Sequence, residues 1–206
     1  MNADSFKVNE ESVKEPIVFV INDFYQDPEG VRQLALDTPK RADLRLWKGR
    51  RSQPINEAHL AHIKARFEEI TGRKFKSIQS HFQVCDVDDP LVYHCDPQKW
   101  AGAVYLTPDA PPECGTSLWR SKKTGVYRHI TQEDARKAGK TPKQLQDETF
   151  GEGALLDRTK WIEIDRIGNV YNRCALWHGH LCHSASGYFG HNDETRRLFQ
   201  LFFLHE

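Results

Sequence analysis

Apolar residues recur along this chain in two rhythms, and the change of rhythm falls near residue 77. Between Asn56 and Thr71 they sit at Leu60, Ile63, Phe67 and Ile70. That 3.6-residue period predicts an amphipathic helix ending near Gly72. Upstream, the run Ile17-Val-Phe-Val-Ile21 predicts a strand. Asp27-Pro28-Glu29 then opens a first helix, with Asp27 as its cap and Pro28 in its first turn. Val31, Leu34 and Ala35 give that helix an apolar side, and Thr38-Pro39 ends it.

From Ser77 onward the apolar runs are short, with Gly, Pro, Asn or Asp between most of them. They predict strands at 79–85, 91–95, 100–106, 116–120, 125–129, 161–165, 172–177 and 196–204. Eight strands suit two packed four-stranded sheets. The expected fold class is therefore mostly β with N-terminal helices, built on a double-stranded β-helix (jelly-roll, cupin-like) core over 77–204. The chain of 206 residues reads as one domain. Residues 1–15 are polar and read as a loose tail. One stretch breaks the pattern: 122–160 is charged and poor in β character. It contains Thr131-Gln-Glu-Asp134, a capping-box variant. An excursion of that length inside a compact β domain reads as a lid over the mouth.

Charge and composition narrow the function. Lys plus Arg and Asp plus Glu are 29 each, so the chain lacks the basic excess of a nucleic-acid binder. No nucleic-acid partner is expected. No uncharged apolar run approaches 18 residues, no basic-then-apolar leader opens the chain, and the five cysteines form no CxxC pair. A soluble, cytoplasmic protein with free thiols and no membrane partner is the expectation. The stretch from Lys40 to Pro54 is basic (Lys40, Arg41, Arg45, Lys48, Arg50, Arg51). It reads first as a solvated loop, and second as a rim for an anionic substrate.

The candidate chemistry begins at His94-Cys95-Asp96, between apolar Leu91-Val92-Tyr93 and the strand from Trp100. In an extended segment, residues two apart point to the same side. His94 and Asp96 can then converge while Cys95 faces away, which supplies two legs of a 2-His-1-carboxylate site. The third leg lies within His178-Gly-His-Leu-Cys-His183. Two chemistries compete there. His178, His180 and Cys182 alternate and could hold zinc. Alternatively, one His joins His94 and Asp96; His183 is preferred, because Leu181 and Ser184-Ala185 look like a new strand entering the core. In the last strand, alternation groups Arg197 with Phe199, Leu201 and Phe203. That set is taken as inward-facing, with Arg196 outward. An inward arginine on an apolar strand is costly unless an anion meets it, and a carboxylate ligand would do so with a paired hydrogen bond. Tyr93, Trp100, Trp119 and Trp177 read as core or pocket walls, and Cys95 and Cys182 as buried apolar groups.

With His94-x-Asp96, His183, and Arg197 fourteen residues later, the chain resembles the iron(II)- and 2-oxoglutarate-dependent dioxygenases, in particular the prolyl-4-hydroxylase-like group. Tyr105-Leu106 and the Gly115-led turn into Thr-Ser-Leu118 also match that group. Asp165–Arg173 and His183–Gly190 look like a small bacterial branch of unknown substrate. The resemblance implies Fe(II) held by His94, Asp96 and His183, with 2-oxoglutarate as co-substrate and O2 as oxidant. It also implies that the far carboxylate of 2-oxoglutarate reaches Arg197, with Tyr105 as the candidate for an added hydrogen bond. The implied reaction hydroxylates a C–H of a small molecule or a peptide side chain. The rival is a non-catalytic jelly-roll metal or ligand binder. Nucleic-acid demethylation is disfavoured by the neutral charge and by the lack of a second Arg six residues after Arg197.

Overall fold

A computed structural model describes residues 17–42, 49–151 and 153–206. The expected tail at 1–15, and Arg45 and Lys48 of the basic stretch, lie outside them. Ten strands and four α-helices are described: β1 (Val18–Ile21), α1 (Pro28–Asp37), β2 (Lys40–Ala42), β3 (Arg50–Ser52), α2 (Ala61–Thr71), β4 (Ser77–Cys85), β5 (Trp100–Tyr105), β6 (Thr116–Ser121), α3 (Gln132–Lys137), α4 (Pro142–Phe150), β7 (Trp161–Ile167), β8 (Cys174–His178), β9 (His183–Ala185) and β10 (Arg197–His205).

The strands form a seven-stranded sheet, ordered β1-β8-β5-β10-β4-β3-β2, and a three-stranded sheet, ordered β7-β6-β9. Every pairing is antiparallel. The fold is mostly β with a jelly-roll core, as expected, but the two sheets are unequal and do not close into a barrel. The large sheet gains β1 at one edge and the β2–β3 hairpin at the other. The basic loop thus becomes sheet where it is described, because Arg50 and Arg51 pair with Val84 and Gln83.

Two other expectations need correction. Residues 91–95 form no strand; His94 makes an isolated bridge to His183. The apolar character of that segment serves a different contact, since Tyr93 stacks on Trp161 at 5.7 Å and meets Trp119 edge-on at 5.1 Å. Residues 125–129 likewise contribute only an isolated bridge, from Arg128 to Leu181.

The helices follow their signals. Asp27 accepts from the Gly30 amide, and Thr38 caps the other end of α1. A 3₁₀ turn, Glu57–Leu60, leads into α2, which stops at Gly72 with φ 66°. Glycine enters that left-handed region without steric penalty. Both helices cover one face of the large sheet. There Ala35, Leu60 and Phe67 pack with Val104, Leu176, Leu198 and Phe202. Leu34, expected inward, is 59% exposed, while Arg32 is buried and donates to the carbonyls of Leu106 and Glu194. His59 and His62 are exposed. The other face of the large sheet looks toward the small sheet, and the cleft lies between them.

The 122–160 insertion is ordered where it is described. Capping boxes at Thr131 with Asp134 and at Thr141 with Gln144 open α3 and α4.

Candidate metal centre

Two segments distant in sequence are zipped together at the mouth of the cleft. The His94 amide donates to the His183 carbonyl at 3.1 Å, and the His183 amide returns the bond to the His94 carbonyl at 2.8 Å. The Asp96 amide donates to the Gly179 carbonyl at 2.7 Å. Gly179 is required for that approach, because a Cβ there would lie 2.4 Å from the Gln98 carbonyl oxygen.

This frame brings His94, Asp96 and His183 together. One ligand atom from each lies within 4.8 Å of the others, the one such group of three among the described residues. His94 Nε2 is 3.4 Å from one Asp96 oxygen, and His183 Nε2 is 3.3 Å from the other. Ligand atoms about 2.1 Å from one ion and at right angles would stand about 3 Å apart. The tautomers also suit an ion. His94 Nδ1 faces the Val92 carbonyl at 2.9 Å and His183 Nδ1 faces the Leu181 carbonyl at 2.8 Å. A carbonyl only accepts, so Nδ1 carries the proton and the Nε2 lone pair points into the site. Burial alone would raise the Asp96 carboxyl, but the two imidazoles outweigh it and hold the group well below the usual carboxylate range. Two neutral imidazoles and an ionised carboxylate on one side of a point are a donor set that fits a divalent first-row ion with open positions.

The cleft is open on one side, and it takes in about 520 Å³ of space, part of it open solvent. Its floor is the strand β10, presenting Arg197, Phe199, Leu201 and Phe203, with Trp177 beside His183 at 5.3 Å. Arg197 is 2% exposed. Its guanidinium lies 4.2 Å from the centroid of Phe199, 5.5 Å from Tyr105 and 5.7 Å from Tyr188. Nε donates to the Cys114 carbonyl and Nη2 to the Gly115 carbonyl, both at 3.1 Å. Among the described residues no carboxylate pairs with it. Arg196 points the other way, against Asp86 at 2.8 Å and Asp193 at 3.0 Å.

Tyr105 is fully buried beside Arg197, and its hydroxyl donates to Thr116 Oγ1 at 2.9 Å. Thr116 itself lines the cleft. Tyr188, which sequence reasoning passed over, also lines the cleft, and burial pushes its hydroxyl well above the ordinary value. Its only sequence signal was a polar, glycine-bearing loop before an arginine strand.

The competing cluster does not assemble. His178 falls on the helix-covered face, where its ring meets Trp100 at 4.2 Å. His180 stacks on His129 at 4.2 Å. The Cys182 sulfur sits 3.1 Å from that of Cys95. That contact, with burial second, raises the Cys95 thiol far above its ordinary value.

The same helix-backed jelly roll appears in solved structures at low identity. A prolyl-4-hydroxylase from Pseudomonas putida matches at 12% identity, over 92% of this chain and 93% of that one, with a TM-score of 0.50. HygX from Streptomyces hygroscopicus, solved with nickel, 2-oxoglutarate and hygromycin B, matches at 13% over 92% and 83%, with a TM-score of 0.51. A prolyl hydroxylase from Trichoplax adhaerens, in complex with a peptide of the hypoxia-inducible-factor oxygen degradation domain, matches at 13% over 91% and 83%, with a TM-score of 0.50. No curated protein matches the sequence. A family profile does match, over residues 50–187, and the chain belongs to that family, one of unknown function designated DUF6445.

Proposed function

We propose that this protein is an iron(II)- and 2-oxoglutarate-dependent oxygenase of the prolyl-4-hydroxylase-like group, hydroxylating a C–H of a small molecule or of a peptide side chain. One observation carries the reading: His94, Asp96 and His183 share a cleft with Arg197, a buried cation whose only hydrogen-bond partners among the described residues are carbonyls. A buried guanidinium without a counter-charge is unstable unless a ligand brings one. The distal carboxylate of 2-oxoglutarate has the charge and shape for it.

In this reading His94, Asp96 and His183 hold the ion, and Arg197 holds the co-substrate. Tyr105 acts from behind, through its bond to Thr116. Bound iron supplies the coupled oxidation in which 2-oxoglutarate, O2 and R–H become succinate, CO2 and R–OH. The protein positions the carbon and keeps water away, with Phe199, Leu201, Phe203 and Trp177 as the apolar walls. We place the whole chain in one domain and in the cytoplasm, with the 122–160 insertion as the cover of the mouth. The insertion touches the ligand segment through the His129–His180 stack. No helix among the described residues is long and apolar enough to cross a membrane.

Anaerobic addition of iron(II) and 2-oxoglutarate should give a weak visible charge-transfer band, and air should then yield succinate. Absence of both in wild-type protein, or their persistence in Asp96→Ala, defeats the assignment. Tight zinc through Cys182 with indifference to 2-oxoglutarate would instead identify a non-catalytic binder.

A further inference from the structure

The two ligand-bearing segments carry a second pair of side chains, back to back with the metal centre. His94 and His183 exchange both amide bonds, which makes them a hydrogen-bonded antiparallel pair. The next residues along, Cys95 and Cys182, then stand opposite each other in a non-hydrogen-bonded position. There Cα atoms are about 4.5 Å apart and side chains come closest. A disulfide joins Cα atoms about 4.4–6.8 Å apart. The side chains agree with the backbone: the two sulfurs are 3.1 Å apart.

The pair is held from both sides. The Cys182 amide donates to the Tyr127 carbonyl at 2.7 Å, and the Cys182 carbonyl accepts from the Trp119 amide at 2.8 Å. Cys182 is fully buried among Tyr93, Trp119 and Trp161, while Cys95 is partly exposed. Both are free thiols. Filling space would need neither this register nor a sulfur on each segment; a disulfide needs both. Alternation turns Cys95 away from His94 and Asp96, so a bond between the sulfurs leaves the ligand side chains in place.

We infer that Cys95 and Cys182 are a redox-modification site: a peroxide joins them as a reversible disulfide that clasps the two ligand segments behind the metal centre. The partly exposed Cys95 sulfur attacks one peroxide oxygen. The O–O bond breaks, a sulfenic acid forms, and the thiol proton leaves with the departing oxygen as water. The Cys182 sulfur then attacks the Cys95 sulfur. The S–S bond forms, the S–O bond breaks, and the second thiol proton leaves with the hydroxyl as water. Two thiols and one hydrogen peroxide become one disulfide and two waters. The sulfur contact, and burial after it, hold the proton on Cys95 and make the first step slow, so the pair answers a sustained excess of peroxide. In a reducing compartment such a bond is transient, and thiols reverse it. The inference stands on the geometry of the two segments and not on the oxygenase reading.

The test uses the full chain, stripped of metal by a chelator, treated with excess hydrogen peroxide and then freed of it. Wild type should lose the mass of two hydrogens. Its Cys95 and Cys182 peptides should run as one after proteolysis, and dithiothreitol should separate them. The bond spans 87 residues, so the thermal midpoint should rise by about 10 °C on oxidation and return on reduction. Cys95→Ala and Cys182→Ala should show no such rise. Manganese(II) affinity of the oxidised wild type should stay within about threefold of the reduced form.

Absence of the cross-link overturns the inference, as does recovery of Cys95 as a sulfinic acid or joined to a different cysteine. So does an unchanged midpoint in cross-linked wild type, or an equal rise in the alanine variants. Loss of manganese binding in the cross-linked form overturns it too, by making the bond a switch on the ligands rather than a clasp on the frame. If a variant fails to fold, peptide mapping and the midpoint of wild type still decide. If manganese binds neither form, the metal-centre reading fails separately, and the cross-link is judged by its mass and its midpoint.

Discussion

The two faces of β10 divide the protein's work. Leu198, Gln200, Phe202 and Leu204 face the helices, where Gln200 is tied to Ser80 and Tyr25 and the rest is packed apolar core. Arg197, Phe199, Leu201 and Phe203 face the cleft. Alternation places the two sets a single residue apart, yet one holds the sheet to its helices and the other leaves room. Stability and chemistry should therefore be separable by neighbouring substitutions.

The largest effect on function is expected at the triad. Removing one of its donors should weaken iron(II) binding by about 10²–10³-fold, taking about 3–4 kcal/mol per ligand from the energetics of four-ligand sites. Asp96→Asn, followed by calorimetry with iron(II) under argon, checks this, and the variant should remain folded. Next comes the packed face. Phe202→Ala should cost about 3–5 kcal/mol in urea unfolding, with iron affinity unchanged in whatever fraction is folded. Phe203→Ala, next door on the half-open side, should cost less than half as much. Equal costs would erase the division between the faces. Third, Arg197→Gln should weaken 2-oxoglutarate by about 30-fold or more, while thermal stability holds or rises because a buried unpaired charge has gone.

The smallest effect concerns pH. Burial lowers the pKa of His81, which lies on the cleft side of β4 with Nδ1 at 3.0 Å from the Ser52 carbonyl. The unfolded chain then takes up this proton at a higher pH than the folded one. Stability falls as pH drops through the unfolded value of about 6.5, and levels off below the folded one. His81→Gln should flatten that limb of the stability profile in acid titrations.

Much of the centre was legible because its residue types are few and their spacing constrained. The pairing of His94 with Asp96 followed from their two-residue spacing in an extended segment, and the choice of His183 from the strand-like residues beside it, which form β9. The inward side of Arg197 followed from its apolar companions on β10. Other features were illegible for physical reasons. β2, β3 and β9 are three residues each, too short to show a period. Leu91-Val92-Tyr93 imitates a strand because Tyr93 needs an aromatic nest against Trp119 and Trp161. His178 looked eligible until the register of β8 against β5 turned it toward Trp100. Arg51 looked like a solvated charge because nothing in a sequence shows that a short edge hairpin will fold its side chain back over Phe203.

The reciprocal amide bonds between His94 and His183 have a bearing on how the site would be filled. The ion would be a guest rather than a clasp: the chain has already joined the two segments through their backbone, and only the ligand side chains need draw in to receive it. Chelators should strip such a protein of metal without loosening it, and refolding should not wait for iron. Apoprotein made under iron starvation would then be a ready reserve, charged as soon as the metal returns.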